Sequence, residues 1–475
     1  MMEAYVKKIG KNAVWHLIGK SISTVLSIIL VFWIARLLGP EDYGSFSLTV
    51  TFIFLFQQFT SLGLELSLPY FIQKYKEQRT SFLKKYLIIR LAVTISGAVI
   101  LFLLSGTIAN YYNNPGLSLY LKITAGFITF FILMNATYQI FQGFNDLKQS
   151  MKVDVWFSST KFLSLLFIML GLGVAGAVMG YGFSYVITTL VAYKIIYEKF
   201  LKKGEEFTDY KKLGRYALTS YLVGIFSFLS NYLINLYIGM NPAELGYFDA
   251  ANKVGVFISL IPSAISAALL PSVTTKNKKE IKELTRRLLN YMLAALIPMI
   301  IIFIATPGFI INTLLSSDYS TITGFFYIII AALSIQTFNT VYNAVAYGVG
   351  KPKYVLGGFA ARTMIIFGLS SSLTGAYSAS LTLFFSIAAS ALLLAFLLRG
   401  YVKYPLEQFF KSLLSAVPLA LSLFPDYNLL LKIVLSSGSL VFYVLVNYYK
   451  VLDQGDRELI RLLFRKIKKT INLPF

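Results

Sequence analysis

At 475 residues, 57% hydrophobic and only 13% charged, with a mean hydropathy of +0.69, the chain is too apolar for an ordinary soluble domain. Its length allows about a dozen membrane spans of ~20 residues. The absence of Cys excludes a disulfide framework, a thiolate nucleophile and a Cys-bound metal. The net charge of +22 does not indicate nucleic acid, because the basic residues stand in short clusters between apolar runs.

Fourteen helices are predicted. Lys7, Lys8 and Lys11 precede the first, Ala13–Leu38, which is too long for a signal-peptide core and reads as a retained helix. A turn through Gly39 and Pro40 leads to the second, Gly44–Ile72. Tyr86–Ala109, Leu117–Phe141, Val153–Leu172 and Gly176–Tyr197 complete the first half, and a polar linker, Glu198–Lys212, follows. The second half holds Tyr216–Met240, Gly246–Val273, Leu288–Ile311, Ile322–Gly348, Val355–Leu373 and Gly375–Leu398. Two more helices, Ser412–Phe424 (short, interrupted by Pro418) and Leu429–Tyr449, lead to a tail, Arg457–Lys469, that reads as a basic amphipathic helix suited to anionic headgroups.

The halves are copies. At a constant offset of 202 positions, Pro40, Gly44 and Phe46 match Pro242, Gly246 and Phe248, and the register runs on to Leu68-Pro69 against Leu270-Pro271. Asn135-Ala136-Thr137-Tyr138 is echoed by Asn339-Thr340-Val341-Tyr342, and Gly176-Ala177 by Gly375-Ala376. The expected fold is therefore an all-α integral membrane protein of two six-helix parallel repeats: residues 1–205 as an N-lobe, 206–405 as a C-lobe, and 406–475 as an appendix. Lys and Arg cluster in alternate connections (for example Lys74 to Lys85, Lys276 to Arg287), whereas Asn110–Gly116, Asn241–Leu245 and Asn312–Thr321 contain none. The positive-inside rule then puts both termini in the cytoplasm, in a multi-pass protein of the cell membrane.

Enzyme chemistry finds little to work with. His16 is the single histidine, so a metal site built from several histidines cannot form. Gly19-Lys20-Ser21 imitates the end of a P-loop, but Val14 stands where its upstream Gly belongs. No acidic catalytic cluster is apparent.

The informative residues are polar groups within spans, where a charge costs about 2.5–3.5 kcal/mol on insertion scales and needs a partner, a watery cavity or a route to the interface. Lys161, Lys253 and Arg362 lie deepest and are candidates for a cavity; Lys20 and Arg90 lie one to two turns in, and Arg36 ends helix one beside Glu41 and Asp42. Asp249 and Lys253 share a helical face four residues apart and can neutralise each other. Glu65 has no opposite charge within a turn, which leaves proton or Na⁺ binding or a pairing with a Lys of another helix. Amide stripes match between the halves: Asn135, Gln139 and Gln142 on helix four, Gln336, Asn339 and Asn343 on helix ten, with Asn231 and Asn235 on helix seven. Such stripes, with Tyr138 and Tyr342 adjacent, serve either as interhelical glue or as the wall of a sugar-binding cavity.

The hairpin A-R-L-L-G-P-E-D-Y-G-S-F-S-L at Ala35–Leu48, the fourteen spans in a 6+6+2 layout and the basic connections resemble the polysaccharide-biosynthesis (Wzx-type) flippases of the multidrug/oligosaccharidyl-lipid/polysaccharide (MOP) exporter superfamily. The resemblance covers the full chain. It implies transport of a polyprenyl-pyrophosphate-linked oligosaccharide through a cationic cavity by alternating access, with the lipid tail left in the bilayer. The substrate cavity would comprise Lys20, Arg36, Lys161, Lys253, Arg362, Asn135, Gln139, Asn231, Asn235, Gln336, Asn339 and Asn343. Coupling to H⁺ or Na⁺ would run through Glu65 or Asp249; no cofactor is implied. The expected partners are the lipid-linked substrate, membrane lipids and glycosyltransferases or a polymerase of the same pathway. Drug-extruding relatives usually have twelve helices, and a net cationic cavity would repel organic cations. The lipid II flippase also has fourteen helices and uses bases on helices one, two and eight. Here helix two carries Glu65 and no base, a departure that tells against lipid II as cargo.

Overall fold

The computed structural model describes residues 2–75, 77–201, 210–273, 277–423, 429–451 and 457. The basic tail beyond Arg457 and most of the linker (202–209) lie outside the described residues, as do the side chains of His16 and Lys20. The described residues are helical, with no strand among them. In chain order the helices are α1 (Met2–Ser61), α2 (Leu64–Lys74), α3 (Arg79–Tyr111), α4 (Pro115–Gly143), α5 (Leu147–Thr160), α6 (Leu163–Phe167) and α7 (Gly173–Phe200). They continue with α8 (Tyr210–Ile238), α9 (Pro242–Val273), α10 (Lys278–Ala305), α11 (Pro307–Leu314), α12 (Phe326–Gly348) and α13 (Pro352–Gly368). The last are α14 (Ala376–Leu397), α15 (Leu406–Ser415), α16 (Val417–Leu423) and α17 (Leu429–Val446).

Each predicted span has a counterpart, and the differences have local causes. Helices one and two run through as α1, whose 60 residues exceed any single crossing of a ~30 Å hydrocarbon core. The reversal is made at Gly39 (φ 75°, ψ 172°), a conformation open to Gly, and Pro40 opens the second half where its missing N–H costs nothing. Helix two then breaks at Leu62 and Gly63, both left-handed, before α2. Helix five is not the single rod expected. It breaks at Lys161–Phe162, resumes as α6, and ends in a π-helical turn, Ile168–Leu172, where Gly171 and Gly173 take positive φ. Helix nine starts at Lys278 rather than Leu288, because Asn277 caps it by accepting from the amides of Lys279 and Glu280 at 3.1 and 3.0 Å. Pro307 ends that helix early by keeping Thr306 out of the helical region. Helix thirteen, placed at Ser412, starts at Leu406 and is divided at Ala416, just before Pro418.

Among the described residues, eight helical stretches are long and apolar enough to cross a membrane, and two, Ile22–Ser61 and Leu147–Phe200, are long enough to cross twice. The protein is an all-helical, multi-pass membrane protein. The chain forms two compact units. One holds Met1–Val254, Asn312–Ile322 and Arg362–Leu383; the other holds Gly255–Ile311, Thr323–Ala361 and Phe384–Phe475. In the first, α2, α3, α4 and α7 pack a core around Leu68, Phe71, Phe82, Leu83, Ile140 and Phe141. In the second, α10, α12, α13 and α14 pack around Leu289, Met292, Val341, Val345, Val355 and Leu394. There Tyr443 donates to the Ala294 carbonyl at 2.8 Å, and Asn447 bonds Ser412 and Ser415, which ties the last two predicted helices to α10 and to each other.

The repeated hairpins meet inside the first unit. A Cβ added at Gly44 would overlap the Pro242 carbonyl, and one added at Gly246 would overlap the Pro40 carbonyl. Each glycine thus admits the other repeat's backbone, as small residues do wherever helices cross closely in a membrane.

Candidate functional site

The first unit holds a partly open cavity of about 200 Å³. Its wall comes from α1 (Val31, Tyr43, Phe46, Ser47, Val50, Thr51, Phe54), α4 (Phe131), α5 with its break (Phe157, Lys161), α7 (Tyr181, Tyr185), α8 (Tyr232, Asn235) and the first turns of α9 (Asp249, Lys253). The spacing on α1 explains its contribution: positions 43, 46, 47, 50, 51 and 54 recur at three and four residues and so share one helical face.

Three charged groups reach this space. Lys161 is 8% exposed; its ammonium donates to Ser27 at 2.9 Å and stands over the rings of Phe157 and Tyr181 at 4.6 and 5.6 Å. The break in helix five falls at this residue. Asp249 is 8% exposed and uses its two oxygens separately. Oδ2 accepts from the Tyr43 hydroxyl at 2.7 Å, while Oδ1 lies 3.4 Å from the ammonium of Lys253. Two ammonium groups and one carboxylate thus line the cavity, and the low-dielectric wall concentrates their field. Aromatic rings supply much of the remaining surface: Phe54 stacks on Tyr232 with centroids 5.0 Å apart, Phe157 on Tyr185 at 5.4 Å, and Phe46 meets Tyr181 edge-on at 5.2 Å. Asn235 donates to Thr51 at 3.3 Å, and both line the cavity with Ser47. Cationic, aromatic and hydroxyl groups together match an anionic headgroup carrying a sugar.

Of the residues singled out from sequence, Lys161, Lys253, Asn235 and Asp249 meet here. Arg362 is buried elsewhere in the unit, where it donates to Asn231 at 3.3 Å. Arg36 is exposed, and Asn135 donates to the Phe131 carbonyl within its own helix. Gln139 is half-buried and is not among the lining residues. In the second unit Asn339 donates to the Ile387 carbonyl, the amide-glue alternative, while the side-chain oxygens of Gln336, Asn339 and Asn343 are buried without a hydrogen-bond partner. Tyr138 and Tyr342, read as possible sugar platforms, spend their hydroxyls on Asp154 and Tyr404. Glu65 pairs with Arg90, an Arg of helix three rather than a Lys. The same guanidinium donates to the Thr60 carbonyl, so Arg90 clamps both sides of the Leu62–Gly63 break.

The tyrosines of the wall were missed, although the repeat contained a signal for the site. At the offset of 202 positions Ser47 and Thr51 correspond to Asp249 and Lys253, and all four line the same cavity.

Fold and cavity together define a membrane protein with a charged, aromatic-walled chamber inside a helical bundle. The family model described as "Polysaccharide biosynthesis protein" matches residues 9–276, and the chain belongs to that family. It is 23% identical over 325 residues to a protein of Shigella flexneri named "Putative O-antigen transporter", covering 65% of this chain and 77% of that one. Its fold is similar to that of the lipid II flippase MurJ in an inward closed conformation, with a TM-score of 0.76, 15% identity, and 91% and 98% of the two chains covered. It also resembles a multidrug-resistance MATE-family transporter of the MOP superfamily in its inward-facing form, with a TM-score of 0.61, 16% identity, and 81% and 98% covered.

Proposed function

We propose that the protein is a flippase that moves a polyprenyl-pyrophosphate-linked oligosaccharide across the cell membrane by alternating access, for cell-surface polysaccharide assembly. The observation that carries this reading is the cavity, in which Lys161 and Lys253 stand among tyrosine rings and hydroxyls. Family membership and the O-antigen relative support it. The fold is shared with a drug exporter, but an organic cation would meet two ammonium groups and one carboxylate already engaged by Tyr43 and Lys253. At about 200 Å³ the chamber is smaller than the roughly 300–1,000 Å³ of a ligand-sized pocket, so passage of a glycan requires its walls to part. The Gly44–Gly246 contact, beside the cavity residues Tyr43 and Phe46, is where the two hairpins would separate. Of the two carboxylates considered for H⁺ or Na⁺ coupling, Asp249 faces the cavity and Glu65 is held by Arg90. Glycosyltransferases or a polymerase of the same pathway would be the partner proteins.

The test is translocation of a fluorescent polyprenyl-pyrophosphate-linked glycan by purified protein in liposomes, with and without proton or sodium gradients. Movement of the glycan, and none of an organic cation, is expected; the reverse pattern would hand the site to the exporter reading. In the same reading both termini are cytoplasmic and Asn110–Gly116 is external. Single cysteines introduced into this Cys-free chain report the side by labelling with an impermeant maleimide. A cysteine at position 113 should react from outside, and one at position 3 only after permeabilisation. The opposite result inverts the topology.

A further inference from the structure

We propose that Asp249 is a resident counter-ion. In this conformation its carboxylate holds the place beside Lys253 that the headgroup phosphate takes during transport, and it recaptures Lys253 when the cargo leaves. The inference rests on the flippase reading and assigns a specificity and release role within that site.

The geometry separates a fixed partner from a movable one. Tyr43 is 1% exposed and holds Oδ2 at 2.7 Å, so the carboxylate is anchored across two helices. The Lys253 side chain is 42% exposed, and its contact with Oδ1 is long, 3.4 Å, against about 2.7–2.9 Å for a well-formed ammonium–oxyanion bond. A loosely held ammonium on a flexible four-carbon stem can turn to a phosphate oxygen without moving Asp249. The duplication argues that the pair is not an architectural necessity. The equivalent wall positions of the first repeat carry Ser47 and Thr51, which line the cavity with no charge.

A carrier needs this arrangement for a physical reason. A lysine without a counter-ion in a low-dielectric wall would hold a polyphosphate tightly and give it up slowly, whereas transport requires a site weak enough to empty. With Asp249 beside it, Lys253 exchanges one anionic partner for another, so the phosphate has to compete with the resident carboxylate and is released more readily.

The experiment titrates purified protein in lipid nanodiscs with farnesyl pyrophosphate, using farnesol as the neutral control. Asp249→Asn keeps a group that can accept from Tyr43 but removes the charge. It should bind the pyrophosphate about tenfold or more tighter, since close ion pairs couple by more than the 1.4 kcal/mol that a factor of ten represents. Asp249→Ser, which installs the residue of the first repeat, should shift affinity the same way. Both should translocate lipid-linked glycan more slowly than the parent, and with Lys253→Gln in place the gain in affinity should vanish. If the parent protein does not prefer the pyrophosphate to farnesol, the flippase reading itself fails. If the parent shows the preference but both Asp249 variants bind equally or more weakly, or unfold without ligand, only the counter-ion inference fails.

Discussion

Replacing Gly44 or Gly246 by Val is expected to remove the conformation described here from the population while leaving the helices intact. A Cβ at either position would occupy space held by a carbonyl of the other hairpin, and a backbone carbonyl in a helix's first turn cannot swing aside as a side chain can. Overpacking typically costs about 1–3 kcal/mol, so the closed arrangement should fall by roughly 10- to 100-fold relative to one in which the hairpins have parted. The reporter is a cysteine at position 47, whose serine is 5% exposed and lines the cavity. In the parent it should react slowly with an impermeant maleimide; with Gly44→Val or Gly246→Val it should react rapidly from the hairpin side. Gly106→Val serves as the control, because nothing lies within 4 Å of a Cβ there. Unchanged labelling with normal transport would mean that the glycine contact is not the closure.

The second large effect concerns the clamp on helix two. Arg90 is 1% exposed and Glu65 13%, so removing one partner buries the other's charge uncompensated, at a cost of about 3–5 kcal/mol. Arg90→Ala or Glu65→Ala should therefore lower the unfolding temperature markedly in detergent. The double replacement Arg90→Met with Glu65→Gln should recover most of the loss, because neither charge then remains. Arg90→Ala additionally deprives the Thr60 carbonyl of its donor at the end of α1. Full thermal stability of Glu65→Ala with residual transport that no longer responds to an ion gradient would instead return Glu65 to the coupling role.

The helices were legible in the sequence because a bilayer imposes a minimum run of apolar residues, and their ends were displaced where charged amphipathic turns continue a helix beyond the apolar run. The start of α10 at Lys278 and of α3 at Arg79 are of that kind, since Lys and Arg on a first turn lower hydropathy without breaking the helix. The duplicated hairpin was equally visible, and its paired glycines mark a real close approach. Pairings between helices were not legible. The sequence offers Glu65 no partner within a turn and leaves only an unspecified Lys of another helix, because Arg90 is 25 positions away; the Ser27–Lys161 bond spans 134. Sequence could rank Lys161, Lys253 and Arg362 as equally deep, but which way each points depends on helix rotation. Arg362 turns to Asn231 and the two lysines to the cavity. The aromatic wall escaped notice because Tyr181 and Tyr185 sit in a chain with 32 tyrosines, where only the fold distinguishes a cavity face from a lipid face.

Translocation by the lysine variants tests the central claim most directly. Purified parent, Lys161→Gln and Lys253→Gln proteins would be reconstituted at matched density, and passage of a fluorescent polyprenyl-pyrophosphate-linked glycan followed by quenching from one side. Each loss removes an attraction to the pyrophosphate within a low-dielectric wall, so each variant should translocate about tenfold or more slowly at unchanged helix content, and the double variant should be inactive. Translocation at the parental rate by the folded double variant would contradict the claim that this cavity carries an anionic headgroup.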